Sequence, residues 1–242
     1  MSNSLEWFQK WFDENYLLLY CHRDTSDAEV QVQLILSTLK PGRDWKILDL
    51  GCGNGRHSRI FHRKGFTVSG LDLSHTLLKD GRAREPGLDL FQGDMRDIPG
   101  EYDVILSLFT SFGYFLKDSD NKQVIASVAA SLNPGGWFWM DFLNPAHIEK
   151  NLVPRTEREL PEGVLVTEIR SIEDGFVKKE IHFDAGSSKR EYCERVKLYS
   201  PEQLEWFFRD NGIKPVGRLG TYEGAPWAED SPRTIIYGQV PQ

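Results

Sequence analysis

Residues 48–58 read Leu-Asp-Leu-Gly-Cys-Gly-Asn-Gly-Arg-His-Ser, an apolar run that ends in an acid and then places glycine at the alternate positions Gly51, Gly53 and Gly55. The preceding Trp45-Lys46-Ile47-Leu48-Asp49-Leu50 suits a buried strand, and His57 to Lys64 suits a helix that stops at Gly65. The glycines thus fall where a strand must turn into a helix, and without Cβ atoms the backbone there can turn tightly and approach a ligand closely. The reading is a nucleotide-binding turn. Glycine turns also occur where nothing binds, so its meaning depends on the strand ends beside it.

A second apolar run, Thr67-Val68-Ser69-Gly70-Leu71, ends at Asp72, 21 residues after Gly51, and is followed by Leu73 and the potential helix cap Ser74. An acid at the tip of the second strand is placed to accept hydrogen bonds from ribose hydroxyls, although it can also cap the next helix. A third run, Leu88-Asp89-Leu90-Phe91, leads to Gly93-Asp94-Met95, and a fourth, Tyr102 to Leu108, leads into Phe109-Thr110-Ser111-Phe112-Gly113-Tyr114. Four strand ends therefore share one edge, and in an open parallel sheet ligands bind outside the carboxyl ends of the strands.

The segment from Asp118 to Leu132 has helical spacing of Val124, Ile125, Val128 and Leu132, Asn133-Pro134-Gly135-Gly136 stops it, and Trp137 to Phe142 reads as a fifth, buried strand. The β-α alternation predicts right-handed crossovers and a parallel sheet. From Val164 to Leu198 three strands separated by Glu173-Asp174-Gly175 and Ala185-Gly186-Ser187-Ser188 suggest an antiparallel meander. A helix then starts at Ser200, with Pro201 at its first position and Gln203 completing a capping box, and ends at Asn211-Gly212; strands near Ile213 to Leu219 and Thr234 to Val240 close the chain. Upstream, Leu5 to Asp24 carries Trp7, Phe8, Trp11, Phe12, Tyr16 and Tyr20, too much aromatic surface for a solvated tail, and precedes a helix at about Ala28 to Leu39. The expected organisation is a helical lid over 1–40, a binding core over 41–150, an antiparallel β insertion over 151–198 and closing elements over 199–242.

With these motifs in place the chain resembles the class I S-adenosylmethionine-dependent methyltransferases. Their first motif looks like Asp49-Leu50-Gly51-Cys52-Gly53-Asn54-Gly55, their ribose acid like Asp72 with Leu73, their adenine-contacting acid like Asp94 with Met95, and their segment after the fourth strand like Ser107-Leu108-Phe109. The likeness covers residues 40 to 145 in motif detail and the rest more loosely. It implies an α/β fold, a Rossmann-like seven-stranded, mostly parallel sheet with helices on both faces and the antiparallel β insertion after the fifth strand. It also implies S-adenosyl-L-methionine as cofactor. Asp49 would orient the turn or the methionine amine, the backbones of Gly51, Cys52, Gly53 and Gly55 would admit the cofactor, Asp72 would take the ribose and Asp94 the adenine amine. From the lid, Arg23 would reach the methionine carboxylate, and Tyr16 or Tyr20 the methyl-transfer side. The nearest rival, a dinucleotide dehydrogenase, would place its third glycine at position 56, where Arg56 stands.

Methyl displacement requires alignment more than acid-base help, because positioning alone supplies roughly 7 to 11 kcal/mol. His57, in the first turn after the glycines, His147, at the exit of the fifth strand, and Tyr20 and Tyr114 are the candidate catalytic side chains, and none is marked as a base by its neighbours. The formal net charge of −7, a pI of about 5.4 and the absence of a long basic run argue against nucleic acid. No run approaches the roughly 20 apolar residues of a membrane span, and Met1 to Glu6 lacks the pattern of a secretion signal. Three widely spaced cysteines fit reduced thiols and a cytoplasmic location, and no cysteine or histidine spacing suggests a metal.

Ser107-Leu108-Phe109-Thr110 stands where methyltransferases of exocyclic and amide nitrogens carry a proline-rich motif, and no cysteine lies between Cys52 and Cys193 to serve a 5-methylcytosine enzyme. The expected activity is N- or O-methylation of a small molecule by a monomer or homodimer. The competing expectation is a non-catalytic cofactor-binding regulatory or scaffold subunit of the same fold.

Overall fold

The protein is described by a computed structural model that covers residues 6–21, 25–186 and 188–242. Two short helices, α1 (Trp7–Trp11) and α2 (Glu14–Leu19), precede α3 (Thr25–Leu39). Then come β1 (Lys46–Leu50), α4 (Arg56–Arg63), β2 (Thr67–Asp72), α5 (His75–Arg84), β3 (Asp89–Gln92), β4 (Tyr102–Ser107), α6 (Asp118–Ala130) and β5 (Leu132–Leu143). The chain continues through α7 (Pro145–Asn151), β6 (Arg155–Leu160), β7 (Val164–Glu173), β8 (Phe176–Asp184) and β9 (Lys189–Lys197), and closes with α8 (Pro201–Asp210), β10 (Lys214–Leu219) and β11 (Arg233–Gln239).

Seven strands form one sheet in the order β10-β11-β5-β4-β1-β2-β3, parallel through β5-β4-β1-β2-β3, with β11 antiparallel to both β5 and β10. Because β2 leaves β1 on one side and β4 lies on the other, the chain direction switches between β1 and β4 and opens a crevice at their carboxyl ends. Period-two alternation decides the layering. Leu48, Ile105, Phe138, Met140 and Phe142 face one core with α6 and α8, while Ile47, Val104, Leu106 and Trp139 face the other with α3, α4 and α5.

The helix after β4 ends at Ala130, and the extended run begins at Leu132, five residues earlier than the sequence suggests. The pairing jumps from Tyr102↔Leu132 to Val104↔Trp137, so Asn133-Pro134-Gly135-Gly136 is accommodated as extra residues at a bulge rather than as a stop. Pro134 has no amide hydrogen to lose to the ladder there. The insertion holds four antiparallel strands rather than three, in the order β6-β7-β8-β9. Its first strand reads Arg-Thr-Glu-Arg-Glu-Leu, too polar for hydrophobic periodicity to reveal. The N-terminal aromatic segment is broken into two helices, because Asp13 leaves the helical conformation and its side chain caps α2 through the amides of Asn15 and Tyr16. Trp11 and Leu19 then bury against Leu160, Val166, Ile181 and Phe183 of the insertion in a third cluster. The capping box of Ser200 and Gln203 starts α8 where the sequence places it.

Gly81 of α5 lies against the glycine turn: a Cβ there would come within 2.6 Å of the Asn54 carbonyl oxygen and 2.7 Å of Leu90 Cδ1. On an open helix surface Gly→Ala gains about 1 kcal/mol. Here the overpacking cost of about 1–3 kcal/mol exceeds that gain, so Gly81→Ala is expected to lower the denaturant midpoint; a raised midpoint would show that the α5 contact yields easily.

Candidate active site

The glycine turn hangs from the end of β2. The amides of Gly51 and Cys52 both donate to the Leu71 carbonyl, at 2.8 and 3.0 Å, and the Gly53 amide donates to Asp72 Oδ2 at 2.8 Å. Gly51 has φ +70°, and a Cβ on it would stand 2.7 Å from Ser111 Cβ, so position 51 requires glycine twice over, for conformation and for space. Asp72 Oδ1 accepts from the Ser74 amide at 2.8 Å, and Ser74 caps α5 through its hydroxyl. Each Asp72 oxygen thus holds one amide and keeps a lone pair for a ligand hydroxyl. Burial pushes the Asp72 carboxyl above its ordinary range, against the pull of the Ser74, Gly53 and Leu73 amides.

Asp49, 1% exposed, accepts the Ser58 hydroxyl at 2.6 Å from the first turns of α4. Burial pushes its carboxyl up to about 6, with the Ser58 hydrogen bonds pulling the other way. Beside it His57 is buried with Nε2 2.7 Å from Gln31 Oε1. Burial, aided by Arg56 and Arg59, pushes this histidine down to about 3, which leaves a neutral ring donating to Gln31 and a poor proton acceptor. Asp94 is clasped by Arg96, whose Nη2 lies 2.6 Å from Oδ2 and whose amide lies 2.9 Å from Oδ1. Burial raises the Asp94 carboxyl, but these bonds outweigh it and hold it below the usual carboxylate range.

These groups line one cavity of about 660 Å³, together with Gly51, Cys52, Gly53, Leu73, Met95, Leu108 and Tyr114. The N-terminal helices form its roof. Trp7 Nε1 donates to the Tyr114 carbonyl at 3.3 Å and the Ser74 hydroxyl donates to the Phe12 carbonyl at 2.6 Å, which ties the roof to both sides of the crevice. The insertion forms the far wall through a row that only strand register brings together, Arg170 opposite Lys179 and Lys179 opposite Glu194. Glu194 accepts from Trp11 Nε1 at 2.6 Å and the Tyr20 hydroxyl at 3.0 Å, and Lys179 Nζ lies 2.5 Å from its other oxygen. Glu168, on the same face, pairs with Arg170 at 2.7 Å.

Not every expected residue reaches the cavity. Gly55, at φ +72°, serves as the left-handed cap of α4, and Ser107 is buried within β4, so neither lines the wall. His147 sits on α7 outside the cavity, its Nδ1 3.2 Å from the Asp230 carbonyl, because α7 borders the cavity through Ile148 and turns His147 to the Asp230 side. Arg23 lies outside the described residues. Conversely Arg170, Lys179, Glu194 and Arg233 line the cavity without having been legible. The charged row would be visible only to a reader who already had the register of three strands.

The sequence between residues 47 and 136 matches the family described as Methyltransferase domain. Among curated proteins the chain is similar to dTDP-3-amino-3,4,6-trideoxy-alpha-D-glucopyranose N,N-dimethyltransferase of Streptomyces venezuelae, 28% identical over 74% of this chain and 82% of that protein. It is also similar to dTDP-3-amino-3,6-dideoxy-alpha-D-glucopyranose N,N-dimethyltransferase of Streptomyces fradiae, 28% identical over 77% and 79% of the two chains. Among solved structures, Streptomyces venezuelae DesVI superposes with a TM-score of 0.70 at 26% identity, covering 94% of this chain and 97% of the other. An S-adenosylmethionine-dependent methyltransferase from Clostridium acetobutylicum shares the fold with a TM-score of 0.80 at 19% identity, over 95% and 97% of the chains.

The chain carries a methyltransferase domain and is an S-adenosylmethionine-dependent methyltransferase. Its cofactor is S-adenosyl-L-methionine, and the side-chain-free cradle at Gly51 and the spare lone pairs of Asp72 fit that group. Among the described residues no helix is long and apolar enough to cross a membrane. Asp72→Ala is expected to weaken S-adenosylhomocysteine binding by about 1–3 kcal/mol, since it strands the Gly53 and Ser74 amides as well as the ligand hydroxyls; an unchanged affinity in calorimetry would contradict this placement of the ribose.

Proposed function

We propose that the enzyme transfers a methyl group to an amine nitrogen of a small molecule of the amino-sugar class. The observation that carries this reading is the size of the strand-end crevice: roof and insertion leave about 660 Å³, within the range of small-molecule pockets. The two Streptomyces relatives are named as N,N-dimethyltransferases of amino sugars carried on dTDP, which supports nitrogen over oxygen. When bound, S-adenosylmethionine supplies an electrophilic methyl on a sulfonium centre, and the new C–N bond forms as the C–S bond breaks.

What this chain contributes is placement. Asp72 takes the ribose, Asp94 and Met95 the adenine end, Asp49 the methionine amine, and the rings of Trp7, Phe12, Tyr16, Tyr20 and Tyr114 line the space toward the acceptor. Such aromatic walls exclude water and favour a cation or a methylated amine beside them. An amine that arrives deprotonated carries its own nucleophilic lone pair, so the reading needs no general base. The free thiols Cys21, Cys52 and Cys193 fit a cytoplasmic location.

Two outcomes test this reading. Radiolabelled methyl transfer from S-adenosylmethionine to a panel of dTDP-linked amino sugars and their hydroxy counterparts is expected to label the amines alone, with no shift of tRNA or duplex DNA in a gel at physiological salt. Labelling of the hydroxy sugars or a salt-sensitive gel shift would defeat it. Affinity for S-adenosylhomocysteine is also expected to depend on Asp49. If the ligand ammonium keeps this carboxylate ionised in the complex, the free group, which titrates at about 6, must lose its proton on binding. Affinity then falls about tenfold per pH unit below 6 and is flat above 7. A pH-independent affinity between 5 and 7 in calorimetry would leave Asp49 as a partner of Ser58 only.

A further inference from the structure

Phe109 and Thr110, just beyond the end of β4, are consecutive non-glycine residues in the left-handed backbone region, with φ 53° and 65°. This conformation is costly for any L-residue and most so for a β-branched one. The other such positions among the described residues, Lys40 and Asp174, are exposed single residues. Phe109 and Thr110 instead line the cavity between Leu108 and Ser111. Paired strain of this kind persists only where the surroundings over-determine it.

The surroundings converge on one residue. Asp141, 1% exposed near the end of β5, accepts the Phe109 amide on Oδ2 at 2.9 Å, and its main-chain carbonyl accepts the Thr110 amide at 3.0 Å. The same Oδ2 accepts the Tyr222 hydroxyl at 2.9 Å, and Oδ1 accepts Arg233 Nε at 2.8 Å. Arg233 closes the ring by donating from Nη2 to Thr110 Oγ1 at 2.8 Å. On the opposite side the Ser111 hydroxyl donates to the Gly51 carbonyl at 3.0 Å, so the same four residues are stapled to the glycine turn. Since a trans peptide directs its carbonyl opposite to its amide, fixing these two amides on Asp141 turns the carbonyls of Leu108 and Phe109 away from β5. A salt bridge that merely joined β5 to β11 would need neither the second carboxylate oxygen nor the strained pair.

We propose that Asp141 is a positioning residue for methyl transfer, which through Arg233 and the two amides forces Phe109 and Thr110 into the left-handed geometry that shapes the cavity beside the glycine turn. The inference rests on the reading of this cavity as the cofactor and acceptor site.

The test is calorimetric binding of S-adenosylhomocysteine to the full chain, alongside thermal melting without ligand. Asp141→Asn keeps size and one acceptor oxygen but loses the charge that holds Arg233, and is expected to weaken binding about tenfold or more. Adding Thr110→Gly, which adopts the required backbone freely, is expected to restore at least about threefold of that loss without restoring the melting temperature. A purely structural ion pair would give no such rescue. Binding at the wild-type level in Asp141→Asn, or a loss that glycine at position 110 leaves unchanged, would overturn the proposal. If Asp141→Asn does not fold, Arg233→Lys carries the same comparison: it is expected to bind more weakly and to be rescued by Thr110→Gly, and wild-type affinity or a failed rescue would overturn the proposal. Failure of the unmodified chain to bind S-adenosylhomocysteine would instead strike the reading of the cavity, and the inference with it.

Discussion

Everything at the site depends on the way one strand end carries the next. The carbonyl of Leu71 and the carboxylate of Asp72, both at the end of β2, hold three successive amides of the turn after β1. The constraint is mutual. Asp72 keeps its place because two amides and the start of α5 surround it, and the turn keeps its shape because its amides end on the Leu71 carbonyl and the Asp72 carboxylate. Buried backbone groups must be paired, so the ligand-binding edge is fixed by the same bonds that close the sheet. The approach of Ser111 to Gly51 adds the end of β4 to this unit.

The second level of organisation is the mutual burial of roof and insertion. The two N-terminal helices are too short to hold without packing, and the meander buries its apolar face against them. Together they enclose Trp11, Leu19, Val166 and Ile181. Glu194 is the polar centre of that contact, taking Trp11, Tyr20 and Lys179 on its two oxygens. A half-satisfied network in such a place would cost more than an apolar wall, whereas this one joins roof to insertion with each charge opposed. The result is a roofed crevice of small-molecule size over the strand ends.

Much of this was legible in the residues. The strand, glycine turn and helix around Gly51, the acid of Asp72, the cap at Ser74 and the capping box of Ser200 and Gln203 are local signals, each decided within a few residues by backbone geometry and hydrogen-bond need. The errors fell where local rules yield to pairing. Asn133-Pro134-Gly135-Gly136 carries every mark of a stop, yet the neighbouring β4 draws the chain into register on either side of it. The polar β6 has no hydrophobic face to betray it, because its ladder to β7 supplies what its composition does not.

The sequence by itself determined the fold class, the strand-end crevice and the order of the acids along it, since those rest on periodicity and on glycine and carboxylate positions that no partner element can supply. Only the tertiary structure decided which side chains face the cavity. Gly55 and Ser107 belong to the motif and miss the wall, while Arg233, more than a hundred residues beyond the motif, reaches it. The physical reason is that orientation is set by strand register and by bonds between remote segments, such as Asp141 with Phe109 and Arg233. Those bonds exist only after the sheet has brought its fourth, fifth and last strands side by side.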